Sequence, residues 1–220
     1  MDSLRGLVNM FPLALLNRSA PSIDYKLLLY FEGADGSTTF VDSSSYNRSF
    51  QTSPTPPTIS TDQSQSGTSS LLLIGWPSPS RSLRALIPND GIGITTTKTW
   101  TIEGYVRLSN VTHENAGIVG VPKDVYPYFT LYYGVFRVAN TTLTGWQSET
   151  TFDGTLLSTT SFTKVKITGD GVSIKLYLDD ALILSVAYPN WPAAPTTPSD
   201  LFLGGDTHTQ GGYYDNWIVY

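Results

Sequence analysis

Trp100-Thr101-Ile102-Glu103-Gly104-Tyr105-Val106-Arg107-Leu108 alternates in character along its whole length. Trp100, Ile102, Gly104, Val106 and Leu108 fall on one side of an extended chain, and Thr101, Glu103, Tyr105 and Arg107 on the other. A period of two is the mark of a half-buried β-strand. Glu103 and Tyr105 therefore face away from the core.

Working outward, the same signal recurs. Leu27 to Phe31 is a short apolar run, closed by the turn Gly33-Ala34-Asp35-Gly36. Ser70 to Trp76 and Ile118 to Val121 are further apolar runs. Tyr128 to Tyr133 and Val135 to Ala139 predict a hairpin across Gly134. Phe162 to Thr168 and Val172 to Leu178 flank Gly169-Asp170-Gly171, and Asp-Gly between apolar runs is a strong hairpin signal. A second tight turn is expected at Asp179-Asp180, before Ala181 to Val186. Leu201 to Leu203 and Trp217 to Tyr220 close the chain. Residues 51–70 and 189–200 are rich in Pro, Ser and Thr and read as loop or edge. Many short strands with frequent turns predict a sandwich or a barrel.

Composition agrees. The chain has 220 residues, enough to bury a core without covalent staples. Charged residues are only 14%, and 24 Ser and 28 Thr take their place. Thr favours strands and Ser favours turns. With no Cys there is no disulfide framework, thiolate zinc site or cysteine nucleophile. The 13 Lys and Arg form no basic stripe, and the net charge is −5, so no nucleic-acid partner is expected. No run of 18 apolar residues is present, so no membrane span is expected.

Residues 1–24 differ from the rest. Leu4, Leu7, Val8, Phe11 and Leu15 recur at helical spacing, interrupted by Pro12. Asp2 cancels Arg5, and Asn9 and Pro12 break the apolar run, which argues against a secretory signal. The expectation is an N-terminal arm that docks onto a partner chain or its own domain, ahead of a sandwich over residues 25–220.

Several stretches together resemble the laminin-G-like, concanavalin-like jelly-roll domains. Leu28-Leu29-Tyr30-Phe31-Glu32-Gly33 and Phe40-Val41-Asp42-Ser43-Ser44 resemble the opening of that family. Gly67-Thr68-Ser69-Ser70-Leu71 is similar to its next strand, and residues 100–107 to its most distinctive one. Lys175-Leu176-Tyr177-Leu178-Asp179-Asp180 resembles its Asp-Gly hairpin, with Asp180 in the glycine's place. Leu201 to Gly205 and Tyr214 to Tyr220 resemble the closing pair.

The resemblance implies an all-β, two-sheet antiparallel jelly-roll sandwich. It also implies a site for one structural calcium where the first strand meets the last, with Asp215 and Glu32 as ligands. Oxygen donors of that kind suit Ca²⁺. The alternative is that Asp215 accepts backbone hydrogen bonds. The opening is similar to copies in bacteriophage virion proteins of capsid, tail or fibre. On that basis the chain is expected to be a non-enzymatic structural component at a virion surface. Other virion proteins would be its partners, and a homotrimer its assembly. A carbohydrate-binding, lectin-like module is the alternative, with a host surface glycan as ligand.

Fold does not choose between these. Residue types narrow them. A retaining glycosidase needs two carboxylates about 5 Å apart, yet Glu32, Glu103, Glu114 and Glu149 are the only Glu, and none sits in such a strand motif. His113 and His208 lack metal-ligand spacing. Tyr132, Trp146 and Tyr213 are the candidate sugar contacts, because flat aromatic rings stack on sugar rings; the same rings also fill cores and interfaces. A lectin of this type predicts a concave patch with two or more exposed aromatics beside Asn or Asp.

Overall fold

The computed structural model describes residues 23–52, 55–75, 83–86, 99–109, 116–121, 128–139, 148–187, 201–204 and 209–220. The strands in chain order are β1 (Leu27–Leu29), β2 (Ser49–Thr52), β3 (Thr58–Ser60), β4 (Ser70–Leu73), β5 (Leu83–Leu86), β6 (Trp100–Leu108), β7 (Gly117–Gly120) and β8 (Tyr128–Tyr132), then β9 (Val135–Ala139), β10 (Ser148–Thr151), β11 (Thr163–Gly169), β12 (Ser173–Leu178), β13 (Ala181–Ala187), β14 (Leu201–Leu203) and β15 (Gly212–Val219). Among the described residues, the one helical element is the single 3₁₀ turn Gly154–Leu156. No helix there is long and apolar enough to cross a membrane.

The strands form two sheets. The larger runs β13-β12-β11-β6-β15-β4-β3, with β1 also paired to β15; the smaller runs β10-β9-β8-β7-β14-β5-β2. Every named strand pair is antiparallel, as a jelly-roll-like sandwich requires. β1 and β4 meet the same long β15 at different heights, β1 against Trp217–Val219 and β4 against Gly212–Tyr214.

The core lies between the sheets. β6 buries every second residue from Trp100 to Leu108, as its sequence predicts. β11 does the same with Thr163, Val165, Ile167 and Gly169. From the smaller sheet, Phe129, Leu131 and Phe136 point inward. The Trp100 ring stacks on Phe129 at 5.7 Å, one aromatic from each sheet. Burial of this continuous apolar layer is what drives the two sheets together.

Two glycines fit two tryptophans. A Cβ on Gly169 would lie 2.3 Å from the ring of Trp100, its direct partner across β6 and β11. A Cβ on Gly104 would lie 2.3 Å from the Trp217 ring.

The expected hairpins are present: β8–β9 across Gly134, β11–β12 across Asp170-Gly171, and β12–β13 across Asp179-Asp180. Asp179 and Asp180 both take left-handed backbone, with φ 48° and 64°. Asp can occupy that region, although glycine does so at less cost. The closing strand is longer than Trp217 to Tyr220, because it begins at Gly212. β2, β5 and β10 have no counterpart in the sequence reading. Each is a four-residue strand without clean alternation. Residues 51–70 do hold edge structure, since β2 and β3 end their respective sheets.

Candidate functional site

The site lies on the outer face of the larger sheet. Leu28 on β1, Ile218 on β15, Glu103 on β6 and Lys166 on β11 stand side by side in register. In the adjacent row, Tyr105 pairs with Asp215 on β15 and with Lys164 on β11. Their in-chain neighbours Ile102, Gly104, Val106 and Val165 face the core, so these side chains face outward.

A bulge shapes this face. Tyr105 pairs with Asp215, but Glu103 pairs with Ile218, so Asn216 and Trp217 together stand against Gly104. Asn216 absorbs the extra residue at φ 49°, a left-handed value that Asn tolerates better than most. The bulge resets the alternation. It sends the Trp217 ring inward over Gly104 and leaves Asn216 beside the outer face.

The result is an open concavity of about 200 Å³. Tyr25, Tyr30 and Tyr105 line it, with Glu103, Lys164 and Asn216 and the apolar Leu28 and Ile218. Tyr30 is 46% exposed, and Tyr25 is held edge-on against Tyr220 at 6.1 Å. The volume is below the roughly 300 Å³ of enclosed drug-type pockets, so the surface suits a small unit of an extended ligand. A second concavity of about 240 Å³ lies beside it, lined by Tyr30, Phe31, Glu32, Thr39, Phe40, Val41 and Ser43. Tyr30 is shared between the two.

Lys164 is the cation of the groove. Its ammonium lies 3.0 Å from Asp180 Oδ1 and 3.7 Å from Glu103 Oε2. Asp180's hydrogen bond holds the ammonium above its ordinary pKa, against partial desolvation, and the charge of Glu103 adds to this. The backbone is fixed as well: the Lys164 N–H donates to Asp179 Oδ1 at 2.8 Å, and the Asp179 N–H donates to the Lys164 carbonyl at 2.9 Å. Lys166 turns away, its ammonium 5.4 Å from the centre of the Tyr177 ring.

The expected calcium ligands come to one connection, residues 61–69 between β3 and β4. Asp215 is fully buried beneath it. Asp215 Oδ2 accepts the N–H groups of Gln65 at 2.8 Å and Ser66 at 3.1 Å, and Oδ1 accepts that of Asn216 at 2.9 Å. Burial pushes the Asp215 carboxyl upward, and the amides pull the other way. Glu32 accepts the Thr68 hydroxyl at 2.8 Å and its N–H at 3.3 Å. A Cβ on Gly67 would lie 1.6 Å from Glu32 Oε1, and Gly67 takes φ 70°, so only glycine suits this approach. Both carboxylates are thus engaged by N–H and O–H donors of this connection and of Asn216. Among the described residues, no three Asp, Glu or His come together as a metal set. The hydrogen bonds that the two carboxylates accept suit an anchor for the connection, the alternative reading of Asp215. Asp42 plays a similar part, accepting from the N–H groups of Leu28, Ser44 and Arg48 at 2.9 Å each.

The aromatic candidates separate. Tyr213 lies on the outer face of the larger sheet, opposite Arg107 and Leu72. Tyr132 lies on the outer face of the smaller sheet with Arg137 over its ring at 4.7 Å. The two cannot share one ligand. Trp146, His113, His208 and the arm residues Leu4, Leu7, Val8, Phe11 and Leu15 lie outside the described residues. The sequence reading placed Glu103 and Tyr105 outward but missed Tyr25, Tyr30, Lys164 and Asn216 as their neighbours. The signal that joins them is strand order, with β1, β15, β6 and β11 adjacent.

No family model and no curated protein matches the chain. Solved structures do match in fold. The receptor binding domain of botulinum neurotoxin C/D mosaic serotype is similar at TM-score 0.64 and 14% identity, over 90% of this chain and 48% of that one. The binding domain of Paraclostridial Mosquitocidal Protein 1 gives the same values. A structure of botulinum neurotoxin type C, whose cell entry is described as dependent upon interaction with two ganglioside molecules, matches at 0.63 and 12%, over 90% and 47%. At such identity the likeness is one of fold. The chain spans about half the length of these solved chains.

Proposed function

We propose that this chain is a non-enzymatic binding module that recognises a glycan in the outer-face groove around Tyr105. The observation that carries this is the convergence of Tyr25, Tyr30 and Tyr105 with Asn216 and the Lys164–Glu103 pair on one open concavity. Tyrosine rings offer flat apolar faces to the C–H side of a sugar, and their hydroxyls remain available to water or ligand. Amide, carboxylate and ammonium groups in the same groove supply the donors and acceptors that sugar hydroxyls need. Among the described residues, Glu103 is the one carboxylate lining this groove and Glu32 the one lining the second, so neither lining holds the facing pair that sugar hydrolysis uses. Two of the fold neighbours are described as binding domains and a third comes from a toxin whose cell entry is described as dependent upon gangliosides, which supports a binding role of the same broad kind.

The test is a glycan array probed with the full-length protein and with Tyr105→Ala and Tyr30→Ala. Both rings are partly exposed, so the variants should fold with stability losses of about 1 kcal/mol or less. At least one glycan class should bind the parent and fall roughly tenfold or more in each variant, as for a central aromatic contact. Binding that is indifferent to both substitutions sinks the assignment.

The virion setting is a companion proposal. It rests on the likeness of residues 28–40 to phage virion openings and on the apolar spacing of the arm. Co-sedimentation with intact particles should need residues 1–24, and light scattering should give a trimer. A chain that behaves identically without the arm removes that setting and leaves the glycan reading intact.

A further inference from the structure

The turn at Asp179-Asp180 holds two consecutive non-glycine residues in left-handed backbone. A glycine at 180 would relieve that strain at no cost in contacts to the core, since Asp180 is exposed. Its side chain instead reaches back to the Lys164 ammonium on β11 at 3.0 Å. Strain retained at one residue whose side chain holds a groove cation points to a function for that side chain.

The charges around the groove give the function a direction. Lys164 is shared between Asp180 and Glu103. Asp179 accepts the Lys164 backbone N–H, and the other ammonium nearby, Lys166, is turned onto Tyr177. Three carboxylates thus stand against two ammonium groups, and the cation that lines the groove is already compensated twice. A ligand carboxylate or sulfate entering here would meet Glu103, with the Asp180 carboxylate on the same ammonium, and among the described residues the groove is lined by no cation without a carboxylate partner, so like charges repel it. A hydroxyl has the opposite experience. The fixed ammonium donates to it and the carboxylate accepts from it.

Resting on the glycan reading of this groove, we propose that it selects an uncharged sugar, and that Asp180 is the positioning residue that sets this preference by fixing Lys164. Asp180 need not touch the ligand. It adds the carboxylate that leaves this cluster net negative, which disfavours an anionic sugar, and it orients the ammonium for hydroxyls.

The experiment compares neutral oligosaccharides with their sialylated, sulfated and uronate-bearing counterparts, for example lactose against 3′-sialyllactose. The proteins are the full-length chain and Asp180→Gly, Asp180→Asn and Tyr105→Ala. Neutral sugars should bind the parent at least about tenfold more tightly than their anionic counterparts, given one uncompensated like-charge contact. Asp180→Gly should melt at the same temperature as the parent or higher, yet bind neutral sugars about three- to tenfold more weakly, the size of one partly exposed charge-assisted hydrogen bond. The same variant should narrow the gap between neutral and anionic sugars. Asp180→Asn, which keeps an acceptor but no charge, should retain most neutral binding while also narrowing the gap. Anionic sugars that bind the parent as well as or better than neutral ones, with loss in Tyr105→Ala, overturn this selectivity and leave the site intact. Unchanged neutral binding in Asp180→Gly overturns the role of Asp180. If no sugar depends on Tyr105, the site itself falls, and the selectivity with it.

Discussion

Gly104 and Trp217 are a single packing arrangement shared by two strands. The Trp217 ring fills the space where a side chain at 104 would stand. Gly104→Ala should therefore cost about 2–3 kcal/mol, the upper range for overpacking a core, read as a lower urea midpoint with an unchanged slope. Asp215 is a different kind of buried group, one carboxylate that accepts three backbone N–H groups. Asp215→Ala should strand those donors, cost about 3 kcal/mol and expose residues 61–69 to protease. Chelators should leave the melting temperature unchanged, because the oxygens of Asp215 and Glu32 face donors. A rise in melting temperature on adding Ca²⁺ contradicts that. Asp170 gives the pH dependence. Its carboxyl is held well below the usual range, first by Lys175 and then by the Ser173 and Val172 amides. A depressed folded pKa means that its stabilisation is complete above the unfolded value of about 3.9 and is lost as pH falls below it. Asp170→Asn should thus be less stable than the parent at pH 7, and the two should converge as pH falls towards 2 in a pH series of urea melts.

β15 decides where the site is, and the sequence showed only its last part, Trp217 to Tyr220, without its bulge. A strict period of two through Gly212–Val219 would put Tyr214 and Asn216 on one side and Trp217 on the other. The bulge at Asn216 brings both Tyr214 and Trp217 into the core. Nothing in Tyr213-Tyr214-Asp215-Asn216-Trp217 announces a bulge, because its cause is tertiary: a space above Gly104 on another strand. β6, β11 and β12 were legible because their alternation is clean and their turns carry Asp and Gly. β2, with Phe50 as its one large apolar residue, was not. The bulge makes its own prediction. Asn216→Gly should keep the fold, since glycine accepts φ 49°, while Asn216→Val should cost about 1–2 kcal/mol for a branched residue in left-handed backbone. Both remove the amide from the groove, so both should weaken ligand binding, and only the second should lower the melting temperature.

Across the whole molecule, the sandwich separates its aromatic surfaces. Tyr132 faces out from one sheet, and Tyr25, Tyr30 and Tyr105 from the other. Composition and strand count were enough to predict a sandwich or a barrel, and the family resemblance implied two antiparallel sheets. They were not enough to say which outward residues meet, because β1, β6, β11 and β15 are far apart in sequence and adjacent only through sheet order. The opening Leu-Leu-Tyr-Phe-Glu-Gly was read for its resemblance, yet Tyr30 within it lines both concavities. That face is the one proposed to meet ligand. The measurement that tests it most directly is backbone amide NMR of the labelled full-length protein, titrated with the strongest-binding sugar from the array. The largest shifts should fall on Tyr30, Glu103, Tyr105, Lys164 and Asn216. Shifts centred on Tyr132 and Arg137 of the smaller sheet, with the Tyr105 face silent, would contradict it.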